Sequence, residues 1–351
     1  MAYTDIDKPS DYFNTVLYTG NGSTQSITGV GFQPDWVWLK QRNTTRSHWL
    51  FDIVRGATER LHSDDTNAEA TESTTLTSFD SDGFTLGSGT GVNQSSGTYA
   101  SWNWLADNTS GSSNTDGSIT STVSANTTSG FSIVSYTGNG IAGATIGHGL
   151  GTTPGMIITK TRNTTQPWRV YHKGVDASAP EDYGMILNDS SARDNDNTAW
   201  NDTAPTSSVF SVGTSANTNG SGNTFIAYCF AEKKGFSKFG SYTGNGSTDG
   251  TFVYTGFKPA WFLVKQSSAS GQHWYLFDNK RDTFNAVTRQ LYPSLSNAES
   301  NDTGSPIDFT SNGVKIRNTS GHDNTSGATY IYMAFAENPL VGTNNIPATA
   351  R

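Results

Sequence analysis

Apolar residues along this chain come in short runs, each bounded by Gly, Asn, Pro or Ser. Trp36-Val37-Trp38-Leu39, Trp49-Leu50-Phe51 and Phe225-Ile226-Ala227-Tyr228-Cys229-Phe230 are typical. Runs of this length, rich in aromatic and β-branched residues and closed by turn formers, predict strands. No helical period extends beyond two or three turns; short helices are expected only around Asp52–Arg60 and Ala68–Ser73. Several runs are apolar on both faces, so they predict strands buried on both sides, under a second sheet or a second chain.

The runs recur in a fixed order. Tyr-Thr-Gly-Asn-Gly occurs at Tyr18–Gly22, Tyr136–Gly140 and Tyr242–Gly246. Asn-Gly marks a tight turn because it supplies positive φ. A Pro-led strand closed by Lys follows: Pro34 to Lys40, Pro154 to Lys160, Pro259 to Lys265. A Trp-centred run comes next, as His48-Trp49-Leu50-Phe51-Asp52, Pro167-Trp168-Arg169-Val170-Tyr171 and His273-Trp274-Tyr275-Leu276-Phe277-Asp278. Each unit closes on an aromatic strand: Trp102 to Asp107, Ala227 to Glu232, Tyr332 to Glu337. Four elements in one order, three times, predict a duplicated domain. The expected fold is all-β: three tandem antiparallel β-sandwich modules of jelly-roll or concanavalin-like type. Their boundaries are an N-terminal arm 1–15, module one 16–107, a polar linker 108–130, module two 131–232, a short linker 233–239, module three 240–337 and a C-terminal arm 338–351. Strands apolar on both faces also suggest a homo-oligomer, with a trimer favoured.

Composition narrows the function. Charged residues make up 15% of the 351 and the net charge is -8, with no basic stripe, which disfavours nucleic acid and anionic lipid as partners. No apolar run is long enough to insert in a membrane. The polar start Met1-Ala2-Tyr3-Thr4-Asp5 reads as no signal peptide, so synthesis in the cytoplasm is expected. The single Cys229 reads as a buried small hydrophobe.

Chemistry is sparse, and no cofactor or metal is expected. The six His are scattered, with no nucleophile elbow beside them. His48 and His273 stand beside Trp49 and Trp274 in matching positions, which suggests half-buried strand residues before it suggests a base at a sugar platform. Glycoside cleavage needs two facing carboxylates. Asp52 and Asp278 are equivalents in different modules, so they do not form such a pair. Asp80-Ser81-Asp82-Gly83 and Asp194-Asn195-Asp196-Asn197 have the oxygen spacing of some calcium loops, but Asx-turn chemistry explains them. Gly87-Ser88-Gly89-Thr90-Gly91 lacks the Lys of a phosphate loop. Trp36 with Trp38, and Trp102 with Trp104, share strand faces and are expected in the core. Trp200 lies outside the repeated strands and is the candidate exposed contact for a receptor.

Longer strings carry a resemblance. Asp5-Ile6-Asp7-Lys8-Pro9-Ser10-Asp11-Tyr12-Phe13, Phe51-Asp52-Ile53-Val54-Arg55-Gly56-Ala57-Thr58, Ala231-Glu232-Lys233-Lys234-Gly235 and Pro339 to Arg351, with the repeated Tyr-Thr-Gly-Asn-Gly, resemble virion proteins of marine tailed bacteriophages, including cyanophages. The resemblance spans essentially the whole chain. It implies a structural, tail-associated particle component with no assigned catalytic residues. The expectation is therefore a non-enzymatic fibre, spike or adhesin part, located in the virion. Its partners would be other virion proteins, itself, and a host-surface glycan or protein. The alternatives are a capsid decoration or head-fibre protein and, more remotely, a polysaccharide depolymerase.

Overall fold

The computed structural model describes residues 4–343, 345 and 347–349. It is nearly all β, with antiparallel pairing in every sheet and only brief helical turns. Each sequence repeat contributes one large sheet. In the first, the strands lie in the order Phe13–Thr19, Thr98–Trp104, Trp36–Gln41, His48–Asp52, Gly56–His62, Ala70–Thr71. In the third, the order is Ser237–Thr243, Thr329–Pro339, Phe257–Gln266, Tyr275–Asp278. The second has the same central order, Phe131–Thr137, Thr224–Phe230, Met156–Thr161, Arg169–His172, extended at both edges. A smaller sheet accompanies each: Gln25–Thr28, Gly83–Leu86 and Leu76–Asp80; then Ala144–Gly147 and Val209–Val212; then Phe252–Tyr254, Gly313–Ile316 and Ile307–Phe309.

Strand pleating sends alternate residues to opposite faces, and both faces here are apolar. One face of each large sheet packs in a cluster local to its repeat. Val37, Leu39, Phe51 and Phe84 do so in the first, Ile157, Tyr171, Phe210 and Cys229 in the second, Phe262, Val264, Phe277 and Val314 in the third. The other faces meet one another. Trp36, Trp38, Trp102 and Trp104 join Ile158, Trp168, Tyr228 and Phe230, and Trp261, Leu263, Met333 and Phe335, in one shared core. Trp104, Phe230 and Phe335 hold the same register position in their repeats, and their rings form a triangle with centroids 6.4, 6.2 and 5.7 Å apart. An approximate threefold axis passes through that triangle. The second face of these strands, which the sequence left seeking a partner chain, is therefore covered within one chain.

Backbone bonds between repeats obey the same cyclic order. The Glu69 amide donates to the Arg162 carbonyl (2.7 Å), Arg193 to Ser267 (2.9 Å) and Glu299 to Arg42 (2.7 Å). A second set matches it: Gln166 to Thr66, Gly271 to Ser190 and Arg46 to Ser296. First meets second, second meets third, and third meets first.

Three boundary expectations need correction. The segment 108–130 is not a free linker, because Ser112–Asn114 and Ser121–Asn126 extend the second repeat's large sheet. Val123 faces the repeat's own core, while Ser124, buried on the opposite face, donates to the carboxylate of the exposed Asp107. The segment 233–239 already contains the start of the strand Ser237–Thr243. The first arm is docked: Ile6 is buried in the shared core, and the Asp5 amide donates to the Lys234 carbonyl. Residues 1–3, 344, 346, 350 and 351 of the two expected arms lie outside the described residues. The expected short helices around Asp52–Arg60 and Ala68–Ser73 are strand and turn instead.

Candidate functional site

The three Tyr-Thr-Gly-Asn-Gly segments lie at one end of the molecule, each after the first strand of its repeat. Those strands start at Phe13, Phe131 and Ser237, beside the aromatic triangle, and run seven residues away from it. That is a rise of about 20 Å. A clasp holds each turn in place. The Tyr hydroxyls donate to the carbonyls of Val92 (2.7 Å), Thr218 (2.6 Å) and Asp323 (2.7 Å). The Tyr rings stack on Tyr99, Phe225 and Tyr330 at 4.8, 5.0 and 5.1 Å. A buried Asn completes the clasp. Oδ1 of Asn93, Asn219 and Asn324 accepts from the amides of Asn21, Asn139 and Asn245. Their Nδ2 groups donate inward to Gly87, Gly213 and Asn318 and outward to Ser23, Ile141 and Ser247. The first Gly of the motif is required by close approach: a Cβ at Gly20, Gly138 or Gly244 would fall 2.3 to 2.6 Å from a carbonyl oxygen. The second is required by φ of +76°, +71° and +65°.

What this leaves exposed is a set of three loop tips: Asn21 to Thr24, Ile141 to Gly143 and Asn245 to Asp249. The first and third are polar. The second presents Ile141, 63% exposed. The clasp Asn residues escaped the sequence reading. Their signal was a fifth repeated element, Asn-x-Ser followed by Thr and then Tyr or Phe, at Asn93 to Tyr99, Asn219 to Phe225 and Asn324 to Tyr330.

The opposite end holds both ends of the described chain. Asp7 accepts from the amide (2.8 Å) and the hydroxyl (2.6 Å) of Thr343, and Thr4 reaches the Lys234 carbonyl. Between the two ends lie buried charge networks at the junctions. Asp52 pairs with Arg55 and accepts from the hydroxyl of Tyr228 in the next repeat (2.7 Å); Arg55 also reaches Glu69, which pairs with Arg162. Asp278 pairs with Arg281 (2.5 Å) and accepts from the Trp102 indole of the first repeat (3.1 Å); Arg281 reaches Glu299, which pairs with Arg42. The remaining junction differs. His172 and Val175 stand where the others have Asp and Arg, and Met333 stands where they have Tyr or Trp. The charges are present only where the neighbour offers a donor.

The closing lysines are functional-looking groups used structurally. Lys40, Lys160 and Lys265 are all buried, and each donates to the carbonyl of the following residue. Burial pushes each down to about 8, against the pull of Asp64 and Glu299 on Lys40, Asp65 and Glu69 on Lys160, and Asp189 on Lys265.

The remaining candidates resolve as follows. Trp200 is 2% exposed and packs edge-on against Tyr171, so it is not a surface contact. It ends a short helix capped by Asp196, which folds it under the second repeat. Trp36, Trp38, Trp102 and Trp104 are all in the shared core. Asp52 and Asp278 are buried and ion-paired in separate junctions. His48 and His273 are not equivalents. His48 pairs in register with Lys40 and accepts from the Trp38 indole (2.9 Å), while His273 is half-buried beside Ser294. Burial and Lys40 keep His48 well below its ordinary range. Asp80 takes the hydroxyls of Ser78 and Thr85, Asp82 takes the amides of Gly29 and Gly31, and Asp194 and Asp196 bind Arg169. Among the described residues, no three His, Cys, Asp or Glu come together as metal ligands. Burial raises the Cys229 thiol far above its usual range.

No curated protein and no solved structure matches the chain. The family model for the domain of unknown function DUF7483 matches residues 8–339, and the chain belongs to that family.

Proposed function

We propose that this chain is a non-enzymatic structural component of a bacteriophage particle, a tail-associated fibre, spike or adhesin part that contributes to host-surface attachment. One observation carries the reading beyond resemblance: both ends of the described chain meet at one pole, and three clasped loops stand at the other. An attachment module needs that polarity, with an anchor at one end and a repeated contact surface at the other. Contacts at three loops add through multivalency, so no single loop needs high affinity. The partners are other virion proteins at the anchoring pole and a host glycan or protein at the loops. We also propose that each repeat is an antiparallel β-sandwich, its large sheet facing its small one across the local core. A homotrimer is a separate proposal. It now lacks support from the two-faced strands, since the chain buries them itself.

A copy carrying a visible label, imaged on intact particles, tests the assignment. Label on the tail supports it; label over the capsid shell favours a decoration protein. Removal of residues 340–351 should lower incorporation into particles while leaving the melting temperature within a few degrees. The cut must spare Asn338 and Pro339, which pair with Lys258 and Phe257 in the sheet. A depolymerase would release oligosaccharides from purified host envelope; the burial of Asp52 and Asp278 argues against one built on them.

A further inference from the structure

The first strands of the three repeats are register equivalents: Phe13, Phe131 and Ser237 pair with Trp104, Phe230 and Phe335. Each is hydrogen-bonded to its sheet on one side only through the repeated pattern. In the second repeat the other side is occupied, because Ser121–Asn126 pairs along the whole strand Phe131–Thr137. In the first and third repeats the equivalent strand is the edge of its sheet.

The edges differ in what lies beside them. Thr15, Ile133 and Phe239 are equivalents facing the junction with the neighbouring repeat. Phe239 fills its junction, packing over Gly155. Ile133 is joined there by Ser124 of the added strand. Thr15 is small, and a cavity of about 100 Å³ remains beside it, lined by Phe13, Asn14, Ala260, Asn279 and Glu337 among others. Thr15 and Asn279 are 4% and 3% exposed, and among the described residues neither the Thr15 hydroxyl nor the Asn279 side-chain carbonyl has a hydrogen-bond partner. Further along the same edge, Leu17 is 37% exposed, and no described group bonds its amide or carbonyl. Natural edges are blunted by Pro, Lys or bulges. Phe13-Asn14-Thr15-Val16-Leu17-Tyr18-Thr19 has none, whereas the third repeat's edge carries Lys238. Of the outward groups of Phe13–Thr19, the Thr15 amide is met by Asn14 and the Thr19 carbonyl by Gln25, which leaves Leu17 as the open position.

We propose that the outer edge of Phe13–Thr19, with the cavity at its foot, is an acceptor groove for one extended strand of a partner polypeptide. The occupant runs antiparallel, as Ser121–Asn126 does on the equivalent strand. It places a small polar side chain into the cavity, where Ser124 stands in the second repeat, and supplies donors to Thr15 and Asn279. Main-chain bonds give the affinity, and the cavity selects against large side chains. This groove is independent of the loop pole and of where the protein acts.

A fluorescent peptide with the sequence of residues 118–127 is the probe, titrated into the full chain. Saturable binding is expected with a dissociation constant of about 10 μM to 1 mM, with slowed hydrogen exchange at Leu17. Thr15→Phe, which copies Phe239, and Leu17→Pro, which removes an outward amide, should each weaken binding about tenfold or more. Circular dichroism and melting must show both variants folded. No saturable binding at millimolar peptide, or binding that both folded variants retain, overturns the proposal. Protection of Leu17 that grows with protein concentration in the absence of peptide also overturns it, since the occupant would then be a second copy.

Discussion

Asn93, Asn219 and Asn324 are fully buried and each ties two loops of one repeat together, through buried bonds inward and part-buried bonds to the turn. Truncating one leaves a buried carbonyl and a turn amide without partners, at about 1–3 kcal/mol each. Asn219→Ala should therefore cost about 3 kcal/mol, read as a lower urea midpoint with an unchanged slope; a midpoint within error of the parent would remove the clasp argument. The neighbouring position varies: Val92, Thr218 and Asp323. Burial pushes the Asp323 carboxyl up to about 7, with Asn318 donating to one oxygen and the other unpartnered, close to His322 and within reach of Asp302. The unfolded chain loses this proton near pH 4, and the folded chain keeps it to about 7. Between those values the folded state binds more protons, so this group's contribution to stability falls as pH rises and levels off above about 7. Asp323→Asn should flatten that slope between pH 4 and 7 and stabilise the chain at pH 8. Glu299 acts in the opposite sense. Burial alone would raise it, but Arg42 and Arg281 hold it down to about 2, so its stabilisation is lost as pH falls from the ordinary carboxylate range toward 2. An Asp323→Asn melting profile parallel to that of the parent across the whole range would contradict the assignment.

At the scale of elements, the strands and turns were legible because each needs only local pattern: an apolar run, a Pro or an Asn-Gly. Pairing was not. Aligning His48-Trp49 with His273-Trp274 is the natural match by residue type, yet the register sets His48 against Trp168 and Trp274. A slip of one residue exchanges the two faces of a strand. Trp49 accordingly packs in the first repeat's own core and Trp274 in the shared one. Both faces being apolar, the hydrophobic pattern could not reveal the slip. The candidate site divides the same way: the turn motif was visible, but its clasp lies more than seventy residues away in the chain for every repeat. Ser121–Asn126 was missed because its alternation is written in Ser, Ala and Thr, with Val123 the one large apolar residue. It should nevertheless behave as sheet. Val123→Pro removes a ladder donor and an apolar contact, which together cost about 3 kcal/mol or more. The same change at Ser110, exposed, outside any strand and with no bond from its amide among the described residues, should cost far less. Equal effects on urea unfolding and on proteolysis within 108–130 would restore the linker reading.

At the scale of the whole molecule, the shared core makes the three repeats one cooperative unit even though the sequence is modular. Trp36 stacks on Tyr228 of the second repeat at 4.3 Å, and Trp104 lies against Trp261 of the third at 5.8 Å. Removing the third repeat would uncover the first repeat's Trp104 and Phe13 and the second repeat's Phe230. Rings of this kind bury about 150–250 Å² each, so at about 25 cal/mol per Å² each is worth about 4–6 kcal/mol as an upper bound. Loss of several such contacts exceeds the net stability of an ordinary domain, about 5–15 kcal/mol. The junctions add to this, because cutting one repeat away leaves Asp52 or Asp278 networks with buried, unpaired groups. The chain should therefore unfold in urea as a single transition, with tryptophan fluorescence and far-ultraviolet circular dichroism giving one midpoint. A fragment ending at residue 236 should fail to reach a native fold, showing collapsed, dye-binding behaviour without a cooperative melt. Two separated transitions, or a soluble fragment 1–236 with a sharp melt, would mean that the repeats are independent and that the aromatic triangle at the axis contributes little.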